Sequence, residues 1–164
     1  MAEAGAPAPR EPGARRVDFY VLPGAEERAR FKLGCQLAEQ AYLAGQRVFV
    51  WLDEPRSLER FDELLWTFAD RSFVPHEIFI DAAQWADTPV LLGCDQQPQQ
   101  PFGLLVNLGN AIPPAAAHAA RIVELIDADE ERRKAGRNRF RQYREQGLIP
   151  ETHNITDQDS PQAG

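Results

Sequence analysis

The segment Arg47–Leu52, RVFVWL, is apolar almost without a break. A strand with one solvated face alternates apolar and polar residues. A strand that does not alternate is covered on both sides, as strands inside parallel sheets are. Such a strand demands helices above and below it, and the flanking sequence offers them. Val17–Leu22 (VDFYVL) reads as a first strand, closed by Pro23 and Gly24. In Glu26–Ala44 the residues Ala29, Leu33, Leu37 and Ala41 or Tyr42 recur near the helical period, and Gly45 is placed to end the helix in a left-handed conformation.

Beyond the central strand the alternation continues. Pro55 opens a second helix, roughly Ser57–Ala69, with Leu58, Phe61, Leu64, Leu65 and Phe68 inward. Ile78–Ile80, Val90–Leu92 and Leu104–Asn107 are strand candidates, with the connection from 92 to 104 expected as an antiparallel excursion. Pro113 and Pro114 begin a short Ala-rich helix to about Ala120. Ile122–Ile126 is the last core strand, and Asp129–Glu145 the closing helix, ended by Gly147. The fold class expected is α/β: a Rossmann-like three-layer sandwich, with a mainly parallel sheet and helices on both faces. Residues 17–149 form the domain. An Ala/Pro/Gly-rich extension at 1–16 and a polar tail at 150–164 bury too little to order themselves. The loop Asp95–Pro101 (DQQPQQP) is expected to be mobile as well.

With 164 residues and 43% hydrophobic content the chain suits one ordinary domain. Its formal net charge of -7 repels nucleic acid as a whole. Cys35 and Cys94 are too few for a disulfide scaffold and lack zinc-ligand spacing. No apolar run approaches the ~18–20 residues that span a bilayer, and the N-terminus has no apolar signal core. Those features lead to the expectation of a cytoplasmic protein.

Against that acidic background the closing helix is basic. Residues 132–144 hold Arg132, Arg133, Lys134, Arg137, Arg139, Arg141 and Arg144. Arg133, Arg137 and Arg141 fall at intervals of four and stand in one row, with Phe140 and Arg144 beside it. Like charges at that spacing repel by about 0.2–0.5 kcal/mol per pair. The row makes sense if an anion with an apolar part docks there. It also fits a plain complement to the helix dipole, with Asp129, Glu130 and Glu131 at the start and bases at the end.

Reaction chemistry is harder to find. The first turn, Leu22–Glu27, has one glycine and two carboxylates where a phosphate would meet a helix, and no phosphate-binding glycine motif occurs. His76, His118 and His153 share no ligand spacing, and His76 suits a structural hydrogen-bonding role. Asp53 and Glu54 sit where α/β enzymes keep acids, but helix capping before Pro55 explains them. No catalytic residue, metal site or cofactor is implied. Trp66 and Phe73 flank a loop and serve either as core or as an aromatic docking patch. A direct single-stranded nucleic-acid-binding module using the same arginines, a metal-dependent enzyme using Asp53, Glu54 or Asp81, and a plain scaffold are the competing classes.

The runs DELLW, SFVPH and RFRQYREQGL, with the opening VDFYVL, resemble the chi subunit of bacterial DNA polymerase III over about residues 17–149. The resemblance implies a non-catalytic accessory subunit of the replicative holoenzyme on a Rossmann-like fold that uses no nucleotide. It implies two partners. One is the acidic C-terminal tail of single-stranded DNA-binding protein, received by Arg133, Arg137, Arg141, Phe140 and Ile126. The other is the psi subunit of the clamp loader complex, received by Trp66 and Phe73, for which a helicase-like protein can compete. At the first and third basic positions this chain has arginine where the family commonly has lysine, which keeps the charge.

Overall fold

A computed structural model describes residues 15–156. Seven strands form one sheet: β1 (Arg16–Val21), β2 (Val48–Trp51), β3 (His76–Ile78), β4 (Val90–Gly93), β5 (Phe102–Asn107), β6 (Ala119–Ile126) and β7 (Glu151–Asn154). Their spatial order is β3-β4-β2-β5-β6-β1-β7, and every neighbouring pair is parallel. Three helices accompany them: α1 (Glu27–Leu43), α2 (Pro55–Thr67) and α3 (Glu130–Glu145). The expected α/β class, a mainly parallel Rossmann-like sandwich, is the observed one.

The unbroken apolar run of β2 is divided between two cores. Val48, Val50 and Leu52 join Phe31, Leu37, Phe61 and Leu65 of α1 and α2 on one face. Phe49 turns to the other face, with Phe19, Leu91, Leu105, Ile122 and Tyr143 of α3. The two-residue period of a strand does this sorting. Cys35 is fully buried within α1, as a small apolar residue would be. Gly45 and Gly147 follow α1 and α3 with φ of 80° and 87°, the left-handed conformation that ends a helix.

The connection after β4 differs from the expected antiparallel excursion. β4 and β5 lie on opposite sides of β2, both parallel to it. Residues 94–101 therefore return along the sheet without a helix, and an extended chain covers roughly 3.3 Å per residue, enough for this short sheet. Gly93 makes the turn possible: a Cβ there would lie 2.7 Å from the Gln96 carbonyl oxygen. Nor is the loop free, since Gln97 Oε1 accepts from the Ala115 amide at 2.7 Å and Pro98 is buried. Pro114–His118 is a single 3-10 turn, and Ala119 and Ala120 extend β6 instead of a helix. Asp53 does not cap α2: its carboxylate accepts the Asn110 amide at 3.0 Å, and Glu54 occupies the cap position without a side-chain bond.

The largest correction is at the C-terminal side. The segment expected to begin a mobile tail at residue 150 contains β7, which pairs with β1 from Asp18–Glu151 to Val21–Asn154. Arg16, assigned to the extension, belongs to β1. The remainder of both expectations, residues 1–14 and 157–164, lies outside the described residues. Asp18 ties the edge together. Fully buried, it accepts from Arg121 Nε and faces Arg16 Nε and His153 Nε2, each at 2.9 Å. Asp18, Glu151 and His153 also stand close enough together to hold an ion, and Asp18 and His153 already pair with each other.

Burial works against the Asp18 charge, but the hydrogen bonds of His153 and Arg121 and the guanidinium charges outweigh it. Its carboxyl is held below the ordinary range. The stabilisation is thus present above the ordinary carboxylate value of ~3.9 and is lost as pH falls toward the folded-state value. Asp18→Asn is expected to lower stability at neutral pH by about 1.5–3 kcal/mol. It should also flatten the acid limb of the pH profile, as urea unfolding at neutral and acid pH would record.

Candidate functional site

α3 is seated by unusual means. Its buried positions are Gly136, Arg139 and Tyr143, with Phe140 half-buried and no aliphatic residue among them. The helix starts where the Asp129 carboxylate accepts the Arg132 amide at 3.0 Å. Gly136 permits a close approach to β6, because a Cβ there would stand 2.7 Å from Ile126 Cδ1. One turn on, Arg139 Nε donates to Glu124 Oε1 at 2.9 Å and its Nη1 donates to the Asn110 carbonyl at 2.8 Å. A further turn on, the Tyr143 hydroxyl donates to Glu124 Oε2 at 2.6 Å. Asn107 Nδ2 completes the carboxylate's partners at 3.0 and 3.2 Å. Burial pushes the Glu124 carboxyl above its ordinary range; Arg139, Tyr143 and Asn107 pull it back only in part. The same burial, with the Glu124 charge, pushes the Tyr143 phenol up.

The basic run thus divides. Arg139 is buried, and Arg132 makes a two-pronged pair with Asp127 at 2.9 Å on each arm. A second buried cation, Arg30 of α1, lies 3.8 Å from the same carboxylate, and its desolvation lowers its pKa to about 10. The others stay outside. Arg133, Arg137, Arg141 and Arg144 line one groove of about 700 Å³. Its apolar lining includes Phe19 and Val21 of β1, Ile126 at the end of β6, and Phe140, whose ring is 5.2 Å from that of Phe19. Thr152 and Asn154 of β7 close the far side, and Glu145 is the one carboxylate in the lining. Arg133 Nε donates to the Asp127 carbonyl at 3.2 Å and Arg141 to the Asn138 side chain at 2.9 Å, so neither charge is neutralised by these contacts.

All five residues expected from the basic helix and its strand, Arg133, Arg137, Phe140, Arg141 and Ile126, lie in this groove. Phe19, Val21, Thr152 and Asn154 were beyond the reach of the sequence pattern. They come from strands distant in the chain, and β7 carries no apolar period to announce it. Gly136 had a signal, a glycine in mid-helix, which marks close packing.

Trp66 and Phe73 are 51% and 61% exposed, so neither is core. Their ring centroids are 5.7 Å apart, and Trp66 also stands 4.5 Å from His76. His76 has the structural role expected: Nδ1 meets the Val74 carbonyl at 2.7 Å and Nε2 the Asp62 carboxylate at 2.9 Å. It opens β3, the edge strand at the far end of the sheet from β7. Six strand spacings, roughly 29 Å, separate the two edges. Among the described residues no helix is long and apolar enough to cross a membrane.

These features define a Rossmann-like α/β protein with an arginine-lined groove at one sheet edge and an aromatic patch at the other. The chain belongs to the DNA polymerase III chi subunit family (HolC), whose model matches residues 15–151. The DNA polymerase III subunit chi of Pseudomonas aeruginosa is 36% identical over 85% of this chain and 96% of its own length. The subunits chi of Haemophilus influenzae and Escherichia coli are 25% and 22% identical, over 87% and 71% of this chain and 99% and 80% of their own. The protein is accordingly a replication accessory subunit. A solved structure of the C-terminal domain of the DEAD-box protein Dbp5 superposes with a TM-score of 0.54, covering 90% of this chain and 92% of that one. At 9% identity it shares the fold alone.

Removing Arg139 would leave the Glu124 charge buried without its counter-ion. Arg139→Ala is expected to cost about 3–5 kcal/mol, whereas a Glu124→Gln, Arg139→Met pair recovers most of that loss. Denaturant unfolding of the three proteins checks it.

Proposed function

We propose that this chi-family subunit is a non-catalytic adaptor whose groove binds the acidic C-terminal tail of single-stranded DNA-binding protein. The observation that carries the reading is the coincidence of four arginines with an apolar hollow between α3 and the β1–β6 edge. An acidic peptide ending in phenylalanine matches it part by part. A guanidinium holds the terminal carboxylate in a two-pronged pair. The hollow beside Ile126, Phe19 and Phe140 takes the ring, and the other arginines steer upstream aspartates. A peptide reaches this local charge, while a polyanion such as DNA also meets the remainder of a chain with net charge -7.

The Trp66–Phe73 patch is the second docking surface, for the psi subunit of the clamp loader complex or a competing helicase-like protein. Exposed Trp and Phe at van der Waals range of each other have the character of interface anchors. Placed at the opposite sheet edge from the groove, the patch would let both partners bind at once.

Arg137→Ala is expected to weaken a Phe-terminated acidic tail peptide by about 1.5–3 kcal/mol in titration calorimetry. A peptide lacking the final Phe should lose most of its affinity for the unaltered protein. Unchanged binding in both cases would remove the groove from consideration, and a gel shift with single-stranded DNA alone would then favour a direct nucleic-acid module. Trp66→Ala should leave the tail affinity intact and lower affinity for psi by at least about 2 kcal/mol, measured by co-purification and calorimetry.

A further inference from the structure

Among the described residues β7 is the last strand of the sheet, and only its β1 edge is paired. The Ile155 amide donates to the Val21 carbonyl at 2.8 Å, which orients the whole strand. In a strand the N–H and C=O of alternate residues point to opposite edges. Glu151, His153 and Ile155 therefore address β1, while the N–H and C=O of Thr152 and Asn154 face outward. The side chains alternate in the same register. His153 stacks on Tyr20 at 4.8 Å and Ile155 packs into the α1–α2 core, on one face. Thr152 and Asn154 turn to the other face and line the arginine groove.

The two residues that border the groove are thus the two whose main chain is open. Glu151–Asn154 contains neither lysine nor proline, two of the usual guards of an exposed strand. The far edge strand, β3, is shorter still, at three residues. Charge decides what β7 accepts. A strand added at the usual spacing of about 4.8 Å would turn alternate side chains toward Arg137, Arg141 and Arg144.

We propose that the outer edge of β7 is the main-chain template for the groove's ligand. An acidic peptide adds there as an extended eighth strand, with its backbone bonded to Thr152 and Asn154 and its carboxylates on the arginines of α3. The inference rests on the acidic-tail reading and adds the conformation of the bound segment and the second half of its site. In this mode main-chain bonds supply affinity, and the arginines and the apolar hollow choose the sequence.

The test uses the full chain and a synthetic peptide of aspartates and small residues ending in phenylalanine. Hydrogen exchange read by NMR should slow by roughly tenfold or more at the Thr152 and Asn154 amides on saturation with peptide. The His153 and Ile155 amides, already bonded to β1, should change little. Peptides N-methylated at alternate positions should lose roughly tenfold in affinity in one register and little in the other. Thr152→Pro, which removes an outward N–H together with the threonine side chain that borders the groove, should weaken the peptide similarly. If that variant fails to fold, the methylated peptides on the unaltered protein decide the matter. Peptide bound with α3 perturbed, but with β7 amides unprotected and every methylated peptide at full strength, would overturn the eighth strand and leave the tail reading standing. No binding at all would remove both.

Discussion

The Glu124 carboxylate, buried on β6 and held by Arg139, Tyr143 and Asn107, is the interaction on which the arginine-lined groove depends. α3 presents arginine over most of its length and has little apolar surface with which to dock. A helix of that composition would ordinarily stay in solvent. Here one inward guanidinium and one inward phenol grip a single acid of the sheet, and Gly136 lets the helix settle onto Ile126. The register is thereby set: with Gly136, Arg139 and Tyr143 inward, Arg133, Arg137, Arg141 and Arg144 face the β1–β7 side. A buried ion pair is seldom the most stabilising choice against an apolar alternative. What it supplies is one orientation of the helix, and the groove exists only in that orientation.

The same logic extends to the sheet edge. β7 is short and polar and would have little reason to pair if Asp18 were not bound by Arg121 and His153 beneath it. The groove is therefore walled on one side by a helix held through an acid and on the other by a strand held near an acid. Both anchors lie beneath residues that contact solvent, and neither uses the four arginines of the groove. The aromatic patch at the β3 edge shares no residue with either anchor. Changes at one surface are expected to leave the other intact.

Much of this was legible along the chain. RVFVWL required two covered faces, and both exist. The four-residue spacing of Arg133, Arg137 and Arg141 placed them on one side of a helix, and they share a groove. Other parts were not legible. β7 carries the sequence ETHN, which has no apolar alternation, because its inward face is satisfied by ion pairing and stacking in place of apolar burial. The parallel return between β4 and β5 was hidden because a polar, proline-broken loop is compatible with either strand direction. Arg139 was indistinguishable from its neighbours, since charge on a helix says nothing of which base meets an internal acid.

By itself the sequence determined the alternation of strands and helices, the two-sided burial of the sheet, and a closing helix that concentrates positive charge. Those follow from local period and composition, which the chain carries everywhere. Tertiary structure alone decided which arginines are spent internally and which remain outside, that β1, β6 and β7 build the floor and far wall of the groove, and that the two exposed surfaces stand at opposite edges. The physical reason is that each of these is a contact between residues far apart in the chain. Such a contact is specified by the depth of the sheet and the seat of the helix, and by no property of either residue alone.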